Sequence, residues 1–484
     1  MERATEWLRS RVAVDARALG AFRVALGLLL LADLAWRATD LVAHYTDAGA
    51  LPRSALAEVY PAFAAASIHA VSGSVWYVAA LFVLAGLVAL GLLVGYRTRL
   101  ATAISLVLLV SLQLRNPLVL NAGDSMLAWL LLWGLFLPLG ARWSVDAVRR
   151  ESADVPGRVA TLATAALLLQ VVLVYAVNAV LKLRGELWRS GEAIRYVFGV
   201  DQLTVLLGDV LVQYPAFLVA ADRLWLGLIV ASPLLLLLRG RARTAFASAF
   251  VAAHLGMALT LRLGLFPLIS VAALLPFLYV GTWDAVESRL SAGTIEWCRR
   301  AARRFDGGLP RPRWPTVPSH WRDQFATGTV AVLLAIALVW NAASLGLVGL
   351  PAGVTSSVDP QEYRWDMFAP EPRTDDGWYV VAGTLASGER VDAFRDGALA
   401  SDRPSKLAST FPSHRWFVYL LDLRAPANAP LRDDFARYVC RGWNADHDEH
   451  LATVSVTYVE ERVRLDGPEE RRRVDLGTYE CAGA

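Results

Sequence analysis

Over the first 350 residues, long apolar runs alternate with short polar connections. A helix needs about 17 to 25 apolar residues to cross the hydrocarbon core of a bilayer. Runs of that length occur near residues 18–36, 75–95, 99–115, 124–140 and 159–181, and again near 223–238, 244–261, 263–282 and 328–349. They predict nine spans. A further apolar piece, 202–221, is ambiguous. Its Asp201, Asp209 and Gln213 are spaced so that they share roughly one face of a helix, as in a helix that lies flat on the membrane or re-enters it.

After residue 350 the pattern changes. Gly346, Gly349 and the stretch Pro351 to Gly353 mark a boundary. WYVVAGTL (378–385) and RVDAF (390–394) flank a short turn and predict a hairpin, while ATVSVTYVEERVRL (452–465) and RRRVDLGTYE (471–480) predict a second strand pair. HRWFVYLLDL (414–423) and LRDDFARYVCRGW (431–443) have helical spacing. The expected architecture is mainly α: a multi-spanning membrane helix bundle of about nine spans over residues 1–350, followed by an α+β extracytoplasmic domain over 351–484.

Charge supplies the orientation, because short cytoplasmic loops are enriched in Lys and Arg. The N-terminus (Arg3, Arg9, Arg11, Arg17), the Tyr96-Arg97-Thr98-Arg99 turn and the loop with Arg142, Arg149, Arg150 and Arg158 alternate correctly as cytoplasmic. The Arg239, Arg241, Arg243 turn and the loop bearing Arg299, Arg300, Arg303 and Arg304 join them only if 202–221 does not cross. The N-terminus is then cytoplasmic and everything after residue 350 outside, in a multi-pass protein of the cell membrane. The arginines ahead of the first apolar run resemble a signal peptide, but no small-residue cleavage site follows Leu31, so the run is taken as a retained span. The proline- and arginine-rich loop from Asp284 to Gln324 is expected to hold only a short helix around Val286–Arg304.

Composition agrees: 56% hydrophobic residues, a mean hydropathy of +0.42 and 19% charged residues exclude an ordinary soluble globular protein. A net charge of +3 gives no basis for nucleic-acid binding. The three cysteines, Cys298, Cys440 and Cys481, exclude a Cys-rich metal framework and permit at most one internal disulfide. Cys440 and Cys481 both fall in the outer domain, in the compartment where disulfides persist. The run Asp446 to His450 reads as a solvated loop, and no metal site is expected.

Lys182 is the leading candidate for chemistry. The chain has 47 Lys and Arg residues, of which only Lys182 and Lys406 are lysine, so a mere positive charge is elsewhere supplied by arginine. Arginine stays protonated, whereas a partly desolvated lysine amine can act as base or nucleophile. The plainer alternative is a lysine that snorkels from a helix end, as Arg184 does beside it. His254 is an ionisable side chain in mid-span, either facing a polar cavity or tying helices together. Asp124 opens a span behind Arg115-Asn116-Pro117 and Asn121, as a polar group on the outer side or as a helix cap. Arg23 and Asp33 lie about 280° apart around one helix and need partners elsewhere.

Several short motifs recur together in one family: Ala21-Phe22-Arg23 with Asp33, Tyr45-Thr46-Asp47 before Leu51-Pro52, Gly95-Tyr96-Arg97, and Trp143-Ser144-Val145-Asp146. The chain resembles the vitamin K-dependent gamma-carboxylase-like membrane proteins, whose bacterial and archaeal members are called HTTM proteins. Lys182 with Leu183, Trp188 and Gly191 is similar to the motif carrying the carboxylases' catalytic lysine. His254 with Gly264 and Phe266 is similar to one carrying a functionally implicated histidine. Tyr363-Arg364-Trp365-Asp366-Met367 and Tyr438-Val439-Cys440 look like stretches of the lumenal domain. The resemblance implies nine spans, an outward-facing chamber and, in true carboxylases, oxidation of a reduced quinone coupled to carboxylation of protein glutamates. Two features depart from that pattern. Asn121-Ala122-Gly123-Asp124 lacks the Asn-His pair of the fourth span, and no cysteine stands near Ala50-Leu51, which leaves Cys440 to pair with Cys481 or with nothing; a Cys440–Cys481 disulfide is the expectation.

Two functions compete. One is a membrane enzyme in which Lys182, helped by His254 and Asp124, acts as base on a quinone-like or lipid-borne substrate. Lys182 is then expected to point into an outward-opening cavity shared with His254. The other is a non-catalytic membrane module whose outer domain binds a partner, such as a protein being exported.

Overall fold

The computed structural model describes residues 2–149, 157–289, 293, 300, 303, 304, 319–355, 359–400 and 402–481. In chain order its main helices are α1 (Glu2–Val12), α2 (Ala16–Ala38), α3 (Val75–Val94), α4 (Thr98–Arg115), α5 (Ala122–Gly134), α6 (Leu162–Arg184), α7 (Pro215–Val230), α8 (Gly240–Thr260), α9 (Phe266–Leu274), α10 (Val280–Arg289) and α11 (Ser319–Ser344). Among the described residues six are long and apolar enough to cross a membrane: α2, α3, α4, α6, α8 and the Asp323–Ser344 part of α11.

The other three predicted spans are shorter or broken, and proline accounts for each. Helix α5 stops at Gly134, ahead of the Pro138-Leu139-Gly140 turn, and α7 stops at Val230, before Pro233 opens a separate turn at Leu234–Leu237. Pro276 lies in the 3-10 turn that ends α9, and the path bends by 106° into α10. A proline supplies no N–H to the ladder and clashes with the preceding turn. The expected helix at Val286–Arg304 overlaps α10, and most of its remaining positions lie outside the described residues.

Segment 202–221 is neither a flat nor a re-entrant helix. Only Gly208–Leu211 is helical before Pro215 starts α7, and Thr204 forms a bridge with Leu261. Its acidic groups instead meet the C-terminal region: Asp209 pairs with Lys406 at 2.6 Å, and Asp201 accepts from Leu407 N at 3.0 Å.

The basic segments converge at one end of the bundle. Strand β1 (Val14–Asp15) pairs with β2 (Arg158–Val159). Arg17 pairs with Asp15 at 3.0 Å and with Asp284 and Glu287 at 2.8 Å each, and Arg243 donates to Arg11 O at 2.9 Å. The family-like motifs form a clamp here. Gly95 ends α3 in the left-handed conformation (φ 71°), where a Cβ would lie 2.3 Å from Ser144 Cβ. Arg23 donates to the α3 carbonyls of Leu92 and Leu93 and to Trp143 O. Asp146 caps α4 by accepting from Arg97 N at 2.9 Å and Thr98 N at 2.8 Å.

The C-terminal region is a five-stranded antiparallel sheet, β3 (Asp375–Leu385), β4 (Arg390–Asp392), β5 (Gly397–Ala398), β6 (Leu451–Arg462) and β7 (Glu470–Glu480), in the order β5-β4-β3-β6-β7. Helices α12 (His414–Leu423) and α13 (Leu431–Asp446) bury Phe417, Leu420, Phe435 and Val439 against Tyr379, Val454 and Val456 of the sheet. The same apolar cluster takes in Tyr45 and Leu51 from the loop after α2, and Val197 and Leu203 from the segment after α6. A disulfide joins Cys440 to Cys481, with Cα atoms 5.6 Å apart.

Candidate functional site

Helix α6 carries the site. Tyr175, Asn178 and Lys182 are spaced three and four apart, so they share one face. Lys182 is 1% exposed. Its ammonium donates to Met367 O at 2.9 Å and Phe368 O at 3.1 Å and stands 3.4 Å over the centre of the Trp188 ring. Three donors thus meet two carbonyls and a π face. Asn178 Nδ2 donates to Trp365 O and Met367 O at 3.1 Å each, and Trp188 Nε1 donates to Phe368 O at 2.7 Å.

All these carbonyls belong to one strap, 365–371, that runs from the last helix towards the sheet. It is pinned beyond the lysine as well: Glu371 accepts from Glu186 N and Leu187 N, capping the short helix Glu186–Ser190, and Pro370 O lies against Gly185. Among the described residues no carboxylate pairs directly with Lys182; the acidic groups whose fields reach it are Asp222 and Asp366. Burial pushes the Asp366 carboxyl above its ordinary range.

His254 lies on α8, fully buried. Its Nδ1 is 2.8 Å from Phe250 O and so carries the proton, which leaves Nε2 an acceptor when the ring is neutral. Among the described residues that Nε2 has no hydrogen-bond partner, and neither has the buried hydroxyl of Tyr175. The two rings lie 5.8 Å apart, with Trp225 5.6 Å and Phe266 6.0 Å from the imidazole. The expected shared cavity differs from what is observed. No hydrogen bond joins Lys182 to His254, and the lysine is closed over by the strap. The link between them is Tyr175, which packs on His254 two helical turns, or about 10 Å, before Lys182.

Asp124 belongs to a separate buried network. It accepts from Arg37, from Arg415 at 2.7 and 2.9 Å, and from Asn121 N at 2.8 Å in a capping box. Asp33 pairs with Arg37, one turn along its own helix face, at 2.7 Å and with Arg415 at 2.8 Å. Two carboxylates and two guanidiniums balance within the cluster. Neighbouring His414 shares a 3.0 Å contact with Asn121, and burial together with Arg415 lowers its ring to about 4.

The family model for the HTTM domain matches residues 12–283, more than half of the 484 residues. The chain belongs to the HTTM family. This domain is found in vitamin K-dependent gamma-carboxylases and related membrane proteins. Comparison with curated proteins gives no match, and comparison with solved structures gives none either. The HTTM domain contains Lys182, His254 and Asp124, but the carbonyls that seat Lys182 and the Arg415 that neutralises Asp124 come from beyond it. Sequence reasoning missed those partners. Arg37, four residues after Asp33, was available as a helical i,i+4 pair, whereas nothing local announced Arg415 or the strap carbonyls.

Proposed function

We propose that this HTTM protein is a membrane enzyme that works at the outer face on a quinone-like or lipid-borne substrate, with Lys182 as the base. One observation carries the proposal: the lysine is buried on neutral carbonyls, with no directly paired carboxylate among the described residues. A carboxylate partner would oppose loss of the proton, and carbonyls oppose it less. Movement of the strap 365–371 frees Nζ to accept a proton from a substrate lying between bundle and sheet. His254 Nε2 and the Tyr175 hydroxyl, an acceptor and a donor both buried without partners, suit the hydroxyl groups of a reduced quinone, which when bound supplies two electrons. Trp225 and Phe266 offer aromatic walls and exclude water.

The same proposal assigns nine crossings, with α5, α7 and α9 as the short ones, the N-terminus cytoplasmic and residues 351–484 an extracytoplasmic domain. It is supported by the gathering of α1, Arg158, Arg243 and α10 at one end, with the strap and sheet beyond the opposite ends of α2 and α6. A second reading, a non-catalytic module, is favoured by the network of Asp33, Arg37, Asp124 and Arg415, which serves to fasten the sheet region to the bundle.

The test is turnover of added quinol under dioxygen by the reconstituted protein, comparing wild type with Lys182→Arg and His254→Phe. The proposal expects loss of at least about 100-fold for the arginine variant, the scale of a general base, with unchanged membrane expression. Equal activity of Lys182→Arg and wild type would remove the lysine's role.

A further inference from the structure

A cleft of about 280 Å³ opens at the basic end of the bundle, between the end of α1, strands β1 and β2, the start of α8 and the elbow between α9 and α10. Arg158, Arg239 and Arg243 line it. Asp15, the acid among its lining residues, is already engaged: Oδ1 accepts from Arg17 N and Nε at 2.8 and 3.1 Å, and Oδ2 from Arg17 Nη2 at 3.0 Å. Among the described residues, three positive charges are therefore left without a matching anion in the lining. Arg243 is 6% exposed; its Nη1 donates to Arg11 O and its guanidinium lies 4.8 Å over the Phe277 ring, but among the described residues its buried Nε and Nη2 have no hydrogen-bond partner. A desolvated guanidinium with idle donors is costly unless an anion completes it.

The backbone adds to the field. Helix α8 runs for 21 residues, its N-cap, Arg239, makes no side-chain capping bond, and its first residue, Gly240, lines the cleft, which puts the positive end of the helix dipole beside it. Tyr279, an amphipathic ring suited to the membrane interface, forms part of the wall. We propose that this cleft seats the phosphate of an anionic phospholipid headgroup, with Arg158 and Arg239 at the mouth and Arg243 at the base. The site is distinct from Lys182 and His254 and independent of their role.

Native mass spectrometry of the full-length protein, titrated separately with phosphatidylglycerol, phosphatidylcholine and inorganic phosphate, tests the proposal. Wild type is expected to retain phosphatidylglycerol in preference to phosphatidylcholine. Arg158→Gln with Arg239→Gln, both exposed positions, should weaken phosphatidylglycerol about thirty-fold, at five- to six-fold per basic residue near an anionic headgroup. Arg241→Gln, which removes a charge just outside the cleft lining, should leave binding unchanged. Displacement of the lipid by inorganic phosphate alone would support the phosphate seat but assign it to free phosphate. Equal binding of both lipids, an unaffected double variant, or an equal loss in Arg241→Gln would overturn the proposal.

Discussion

Replacing Gly185 by alanine should unseat Lys182 without touching it. Gly185 has φ −81° and ψ 142°, ordinary extended backbone open to any residue, so the effect is steric alone. A Cβ there would lie 1.9 Å from Pro370 O, where ordinary contact begins at 3.4 Å, and the strap must retreat by about 1.5 Å. Overpacking of this kind costs roughly 1–3 kcal/mol, and because Met367 and Phe368 precede Pro370 in the same turn, the strain falls on the two carbonyls that hold the ammonium. A destabilisation of that size raises the population of the open strap roughly 5- to 150-fold. The chain contains only two lysines, which makes the assay clean: an amine-reactive ester, followed by peptide mass spectrometry. Lys406, with 45% of its side chain exposed, is the internal standard. Wild-type Lys182 should label far more slowly than Lys406, and Gly185→Ala should raise the ratio by the factor above. An unchanged ratio, or fast labelling of Lys182 in wild type, would refute the carbonyl seat.

Arg415→Gln leaves Asp33 and Asp124 with one guanidinium between them and should destabilise the protein by about 3 kcal/mol or more; adding Asp124→Asn should restore part of the loss, and strictly additive melting temperatures would count against the network. Cys440→Ser should cost the C-terminal region about 4 kcal/mol, from a loop with a sequence separation of 41, seen as earlier unfolding in denaturant under non-reducing conditions; an unmoved transition would argue against the bond. Burial pushes the Asp376 carboxyl up to about 6, although Gly377 N and Asp201 N donate to it. With the folded value raised, its contribution to stability is complete below about pH 4 and is lost as the pH climbs through about 6. Thermal unfolding of the full chain should show that fall, Asp376→Asn should flatten it, and persistence of the slope in the variant would assign it elsewhere.

The membrane pattern and the strand pairs were legible because each depends on local periodicity. WYVVAGTL with RVDAF and the two later strand runs occur as β3 with β4 and β6 with β7. Pro138, Pro233 and Pro276 are visible as residues, but an apolar count does not register them: the expected runs 124–140 and 263–282 are longer than α5 and α9, and the expected run 223–238 ends eight residues beyond α7. The polar spacing of Asp201 and Asp209 suggested a helix face, whereas both groups face Arg403, Lys406 and Leu407 N, partners some 200 residues away in sequence. The same limit applies at the site. Lys182 stood out by composition, but its seat is made of backbone carbonyls, which have no sequence signature, and His254 with Tyr175 is a juxtaposition of two helices that periodicity cannot specify.

The strap has a consequence for how the molecule is made. Synthesis delivers Asp33, Arg37, Asp124 and Lys182 to the membrane long before residues 365–371 and 415 exist. Until those arrive, the early helices hold an amine without its carbonyls and two carboxylates sharing one guanidinium. The bundle therefore reaches its settled state only when the last quarter of the chain has been delivered to it, and the C-terminal region acts as the closing step of assembly. A nascent chain halted before residue 365 would keep these charges unmatched.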